Sequence, residues 1–523
     1  MSMLRNFATV GSATASSRVL GFIRDIFIAA ALGTGAVADA YFVAQRLPNL
    51  FRRLFAEGAF ASAFVPLFTK AHKGEGHEAG LRFAQESLAG LAALLLVITV
   101  IAEVGMTWLT FGLAPGFASD PAKFDLAVLL GRISFPYLFL ISIVSLLSGA
   151  LNGIGKFAAA AFSPSLLNAV LIAALIAIYF YGNVGTESAG IWLTSAITVG
   201  GVVQLAVLWW VCHRAGLRMR LSMPRWTPGL KRLTWLAGPS ILAGGVTQIN
   251  IVVGTIIASL EPGAVSWLYY ADRLYQLPLG IVGIAVGIVL LPDLASALNA
   301  KRQDLVDHAQ NRAIEFAAAL TLPATVALFV IPTPIIAVLF QRGAFAAADT
   351  AATAPALAAY ALGLPAFVAI KVLQPSFFAR EDTSTPMWSG AVSMVVNVAA
   401  AFALFYFFGH VGIAAATSIA AWVNTVILAW VLNRRGHLNS DPVLRRRLPL
   451  LALASILMGV VVYFAAWAVG PWLLADRLII RAAIMVGLVA LGVVFFAAFI
   501  HFVRIVDIRR VVVAMLPWGH DAA

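Results

Sequence analysis

Between Lys156 and Glu187 the chain carries no charged residue, and apolar runs of this kind, long enough for a helix to cross about 30 Å of hydrocarbon, recur along the sequence. With no water in the bilayer core to satisfy peptide N–H and C=O groups, such a run bonds to itself as an α-helix. A membrane β-barrel would need roughly ten-residue segments of alternating polarity, and the sequence lacks them. Composition agrees: 61% of residues are hydrophobic and only 11% charged, against roughly 25% charged in an ordinary soluble domain. The expected fold class is therefore an all-α polytopic membrane protein.

Apolar windows place about 14 transmembrane helices, near 7–32, 37–69, 84–112, 125–152, 160–181, 189–212, 230–258, 265–298, 313–340, 351–379, 387–408, 411–433, 448–469 and 479–503. Assigning the loops alternately to two sides puts about 23 Lys and Arg on the side holding both termini and 4 on the other, Lys123, Arg342, Arg477 and Arg481. Both termini are thus expected in the cytoplasm. The loops 213–232 and 433–447 are the richest in basic residues. The net charge of +12 reads mainly as this topology signal, with a lesser role against anionic lipid headgroups, and no nucleic-acid partner is expected.

Other chemistries find little support. Cys212 is the single cysteine, so no intrachain disulfide or cysteine metal cluster can form, and it reads as a packing residue. The eight histidines fall in loops or at helix ends with no pair at ligand spacing, so no metal site is expected. Gly155-Lys156-Phe157 lacks the Ser or Thr of a phosphate-cradling loop. Work must come from a gradient or a partner, and the chain reads as a transporter rather than an enzyme. The first residues, Met1 to Phe7, do not read as a removable signal peptide.

The sequence also repeats itself at an offset of 226 to 229 residues. Ala44-Gln45-Arg46-Leu47 matches Ala271-Asp272-Arg273-Leu274, and Val65-Pro66 matches Leu291-Pro292. Phe135-Pro136 and Leu167-Asn168 recur at the same spacing as Leu364-Pro365 and Val396-Asn397. Six crossings return the chain to its starting side, so the repeat predicts two pseudo-symmetric six-helix lobes in one orientation, with a substrate cavity between them and alternating access by rocking. Residues 1–220 form the first lobe, 221–440 the second, and 441–523 contribute two extra C-terminal helices.

Charges inside spans cost roughly 2.5–3.5 kcal/mol each on insertion scales, so each calls for a partner or a wet cavity. On the first span Arg18 and Asp25 lie seven apart and nearly on one face, which leaves Arg24 over. On the second, Asp39, Arg46, Arg53 and Glu57 share one stripe suited to an ion-pair ladder, and Arg52 lies off it. Arg273 projects away from its neighbour Asp272. An ion pair or a headgroup anchor explains any one of these arginines as readily as a ligand does. As a set, Arg24, Arg52 and Arg273 suit a phosphate or pyrophosphate anion, which a planar guanidinium binds in bidentate fashion. The roles of Arg132 and Lys371 stay open at this point.

The stretch Ser12–Gly33 (SATASSRVLGFIRDIFIAAALG), followed by Ala38-Asp39-Ala40-Tyr41-Phe42 and by Arg46-Leu47-Pro48-Asn49-Leu50-Phe51-Arg52-Arg53-Leu54-Phe55-Ala56-Glu57-Gly58-Ala59, closely resembles the MurJ (MviN) family of bacterial lipid II flippases. The likeness runs over the whole chain. It implies membership of the multidrug/oligosaccharidyl-lipid/polysaccharide exporter superfamily. It also implies a bacterial inner-membrane transporter for peptidoglycan biosynthesis, carrying the undecaprenyl-pyrophosphate-linked disaccharide pentapeptide (lipid II) to the periplasmic leaflet. The family's cavity arginines match Arg18, Arg24, Arg52 and Arg273, its acidic positions match Asp25, Asp39 and Asp272, and its last two spans form a groove for the polyprenyl tail. One departure stands out: three residues after Arg273 the family often carries an acid, and this chain has Gln276. No cofactor is implied beyond coupling to membrane potential or a monovalent cation. Lipid II and membrane lipids are the expected partners, a monomer already holds a complete pathway, and the cell-wall synthesis machinery is a candidate partner. The rival readings are a flippase for another lipid-linked oligosaccharide and a non-transporting scaffold for cell-wall enzymes.

Overall fold

Helix starts are written into the chain. Asp120-Pro121, Thr227-Pro228 and Asp441-Pro442 each place a capping oxygen before a proline, and each side chain accepts the N–H three residues on, from Lys123, Leu230 and Leu444. The cap satisfies an orphan donor, and proline occupies the one position where its missing N–H costs nothing. The computed structural model describes residues 2–53, 59–300, 302–473 and 478–503, so Glu57 and Arg477 lie outside the described residues.

The first half of the chain runs α1 (Ser2–Leu32), α2 (Ala36–Arg52), α3 (Ala59–Gly74), α4 (His77–Val104), α5 (Met106–Leu113), α6 (Pro121–Ser134), α7 (Pro136–Gly153), α8 (Ala158–Phe180) and α9 (Glu187–Arg214). The second half runs α10 (Pro228–Ala258), α11 (Ala264–Asn299), α12 (Gln303–Val330), α13 (Pro332–Phe340), α14 (Ala347–Ala361), α15 (Leu364–Phe378), α16 (Ser384–Phe408) and α17 (His410–Arg434). Three helices follow, α18 (Pro442–Ala468), the short α19 (Gly470–Leu473) and α20 (Leu478–Phe502). The repeat is visible in the bounds themselves: α4 and α12 are both 28 residues long and start 226 positions apart. The landmarks Phe135-Pro136 and Leu364-Pro365 begin α7 and α15, where each breaks one crossing into two helices.

Ten helical segments among the described residues are long and apolar enough to cross a membrane. They correspond to ten of the fourteen expected spans. The other four are the pairs that the repeat relates, the first and second and the seventh and eighth. Here α1 carries Arg18, Arg24 and Asp25 in one crossing, and α2 has only 17 residues. Parts of α10 and α11 lie outside the described side chains. Exposed aromatics gather at helix ends, as they do at a membrane–water boundary. Tyr179 and Phe180 close α8, Tyr406, Phe407 and Phe408 close α16, and Trp467 closes α18. Near the last turns of α9 and α17, Arg214 and Arg434 stack on Trp210 and Trp430 at 4.2 and 5.3 Å.

The chain forms two compact units, Met1–Ser266 with Arg342–Ala346, and Trp267–Gln341 with Ala347–Ala523. In the first, α1 packs on α8, α8 on α9 and α2 on α6, while α10 lies against α3, α4 and α5. Two turns in this unit close on glycines. Gly33 holds φ +64°, and a Cβ there would stand 2.4 Å from the Ala344 carbonyl oxygen; one at Gly116 would stand 2.2 Å from that of Ser259. The backbone of Ala344 donates to Ala30 at 2.8 Å, and that of Gly116 to Ser259 Oγ at 3.0 Å. In the second unit α16 packs on α17 and α14 and α15 line α17. The stripe Leu451, Ala454, Met458, Val462 and Ala466 seats α18 on α12. In lipid such contacts are held by close packing rather than by water exclusion, which favours small residues at the seam.

Candidate functional site

Two charge clusters in the first unit are built from the helices the sequence singled out. In the first, Arg24 Nε and Nη2 donate to Asp25 Oδ1 at 3.0 and 2.7 Å, and Arg24 Nη1 donates to Asn168 Oδ1 at 2.9 Å. Asn168 in turn donates Nδ2 to the Ser17 carbonyl at 3.1 Å, tying α8 to α1. Helical spacing had assigned Asp25 to Arg18 and left Arg24 over, and the structure reverses this. Although neighbours on a helix diverge by about 100°, the arginine stem is long enough to fold its guanidinium back on the adjacent carboxylate. Arg18 is exposed on α1, with no hydrogen bond or ion pair among the described residues. Among the described side chains of α1 the surplus cation is therefore Arg18, and Arg24 is an oriented guanidinium with a carboxylate and an amide fixing its plane.

The second cluster centres on Asp39, which is fully buried in the first turn of α2. Its Oδ2 accepts from Lys123 Nζ at 2.6 Å and from the Gly263 N–H at 2.9 Å. Its Oδ1 accepts from the N–H and Oγ of Ser266 at 3.0 and 2.7 Å. Asp39 thus caps the N-terminus of α11 from another helix, where an anion also meets the positive end of the helix dipole. The expected ladder does not form at this rung. Residues seven apart on a helix are about 10.5 Å apart along its axis, too far for Asp39 to meet Arg46. Arg46 instead turns Nη1 to Thr255 Oγ1 and the Ile251 carbonyl on α10. Arg53 is exposed at the end of α2, and its expected partner Glu57 lies outside the described residues. Arg52 donates Nε to Asn49 Oδ1 at 3.2 Å, one turn back on its own helix.

In the second unit, Asp272 accepts from the amide of Gln276 one turn further along α11. A neutral donor stands where an acid was expected, so the pair attracts where two carboxylates would repel. Arg273 places its guanidinium carbon 4.7 Å from the Tyr269 ring centroid. Arg132 is exposed within electrostatic reach of Glu103, and Lys371 is exposed on α15.

Sequence reasoning missed Asn168, Lys123 and Arg481. Asn168 had been marked only as a repeat landmark. Lys123 and Arg481 had been placed in loops, yet both are buried, and Arg481 donates Nη2 to the Ala337 carbonyl at 2.6 Å. The signal was their rarity: a side that excludes cations keeps the ones that have partners.

The family described as lipid II flippase MurJ matches residues 28–482. The chain belongs to the MurJ family. A relative from Rhizobium meliloti (strain 1021), named a probable lipid II flippase MurJ, is 47% identical over 500 residues, covering 95% of this chain and 93% of its own length. A solved structure titled lipid II flippase MurJ, inward closed conformation, superposes with TM-score 0.78 at 24% identity, covering 96% of this chain and 99% of that one. An inward-facing multidrug resistance MATE family transporter of the MOP superfamily follows with TM-score 0.67 at 16% identity, covering 80% and 94%. Both structures share the all-helical fold. This is a family of multi-pass membrane transporters and not of enzymes, and the fourteen-span expectation meets it with ten spans met by length and apolarity among the described residues.

Proposed function

We propose that the chain moves lipid II from the cytoplasmic to the periplasmic leaflet of the bacterial inner membrane by alternating access, with both termini in the cytoplasm. The observation that carries this reading is the family match over nearly the whole chain, with relatives named for that cargo. The distribution of basic residues supports the orientation, and the inward-facing superfamily neighbour supports the cycle.

Arg18, Arg24, Arg52 and Arg273 bind the pyrophosphate in an arginine-lined cavity, while Asp25, Asp39 and Asp272, with Arg53 and Glu57, set the local charge that gates it. The arrangement around Arg24 supports this role: its guanidinium plane is fixed before a ligand arrives, so little side-chain entropy is lost on binding. No bond is made or broken in the cargo. Membrane potential or a monovalent cation drives the return of the carrier, since one charge crossing 100 mV is worth about 2.3 kcal/mol. The last two spans, α18 and α20, hold the polyprenyl tail.

Complementation of a strain depleted of its lipid II flippase tests the proposal, with outer-leaflet lipid II as the readout. The wild-type chain rescues, and equally expressed Arg24→Ala, Arg52→Ala and Arg273→Ala variants do not. No rescue by a well-inserted wild type would assign another lipid-linked cargo, and rescue by all three variants would favour a scaffold.

A further inference from the structure

Lys123 belongs to none of the groups assigned above to the cargo or to gating, yet it is among the most buried charges in the molecule. Its side chain is 7% exposed and that of Asp39 is 0% exposed. Its backbone N–H is capped by Asp120, which fixes the first turn of α6 and aims the side chain inward. The stem runs past Phe117, with Nζ 4.0 Å from the ring centroid. A lysine this deep is costly unless paired and hydrogen-bonded. As stabilisation alone the design is poor, because well-packed apolar residues commonly do as well in place of a buried ion pair.

What the pair adds is a fixed carboxylate. Beside the bond from Lys123, Asp39 accepts three from the start of α11: two backbone N–H groups, from Gly263 and Ser266, and the Ser266 hydroxyl. Ser266 and Arg273 are seven residues apart on that helix, two turns, so they share a face to within about 20°. Both sit on α11, and it is the start of that helix that the Asp39 carboxylate holds.

We propose that Lys123 is a positioning residue: it holds the Asp39 carboxylate against the first turn of α11, the helix that carries Asp272 and Arg273, and so keeps that turn closed. The importance given to Arg273 rests on the function proposed above; the clamp on α11 does not.

The test uses the full-length chain with its one cysteine removed (Cys212→Ser) and a reporter at Val265→Cys, a position with no exposed surface. A membrane-impermeant maleimide is applied to both faces of proteoliposomes. With Lys123 and Asp39 intact the reporter labels slowly. Lys123→Met raises the labelling rate by roughly a hundredfold, as loss of one partner of a buried pair implies. Continued protection in Lys123→Met, with normal insertion, would overturn the proposal.

The exchanged pair Asp39→Lys/Lys123→Asp separates positioning from simple charge pairing. A lysine at 39 cannot accept the N–H groups of Gly263 and Ser266, so labelling stays fast; restored protection would show an ordinary ion pair and sink the idea. The labelling needs no cargo. A wild type that is protected but exposes no lipid II would thus count against the cargo and leave the clamp standing.

Discussion

Asp39 and Glu315 are both acids that tie helix starts to their neighbours, and they do so in opposite ways. Asp39 is sealed in the first unit with one cation and three further donors. Glu315, in the second unit, shares its carboxylate between Arg447 Nη1 at 2.6 Å and Arg312, which also reaches Asp441 at 2.6 Å. Asp441 caps α18 through the Leu444 N–H at 2.6 Å, and Asn439 joins the net by donating to Asp307 at 2.9 Å. The arginines here are about 30% exposed. The difference is one of redundancy. In the dry cluster each bond has no substitute, whereas in the wet one water and a second arginine stand ready.

The strongest way to break this comparison is Asp39→Asn, which strands the Lys123 charge. It should destabilise the detergent-solubilised protein by about 3–5 kcal/mol, read as a fall in Tm with loss of lipid II exposure. Arg481→Met comes next. Two carbonyls, of Ala337 and Gln341, lose the donor that α20 supplies, at a cost of about 1–3 kcal/mol. Arg447→Ala should cost about 1 kcal/mol or less, because Arg312 still holds Glu315. An Arg447→Ala effect equal to that of Asp39→Asn would show that exposure does not set the difference.

The smallest effect is a pH dependence confined to the wet side. Burial, and then the nearby Arg380 and Arg435, push His437 below its ordinary value of 6.5, against the pull of Asp307. A base with a lowered value binds fewer protons when folded. Its contribution is therefore complete above 6.5 and is lost as pH falls below that value. Asp382 is held down at about 2 by the Thr385 hydroxyl and then by Arg435, so it begins to contribute its loss only in stronger acid. The protection of residues 435–441 against hydrogen exchange, taken relative to the intrinsic rate at each pH, should fall between pH 7 and pH 5, and His437→Gln should remove the change. No histidine contacts Asp39 among the described residues, so exchange at Ser266 should not follow.

Much of the fold was legible because lipid leaves the backbone few options: the long apolar runs and the repeat landmarks survive into the structure. The charge clusters were harder. Spacing along one helix tells which side chains share a face, but Asp39 found its partners on α6 and at the start of α11, and Arg24 found Asn168 on α8. Those are long-range choices, and a single helix carries no record of them. Lys123 was readable in principle, as one of only four cations on its side, but the rule that flags rarity was used for orientation alone.

The bond from Asp39 to Ser266 joins residues 227 apart, the offset at which Ala44 matches Ala271. The two positions are therefore the same position in each copy of the repeat. In a pair of identical half-length chains, like would meet like at this point. Two aspartates would repel, and two serines would have no charge with which to hold a lysine. A single chain that carries both copies can place a different residue at each, here the acceptor in one and the donor in the other. An unlike pair at equivalent positions is thus open to the one chain and closed to two identical halves.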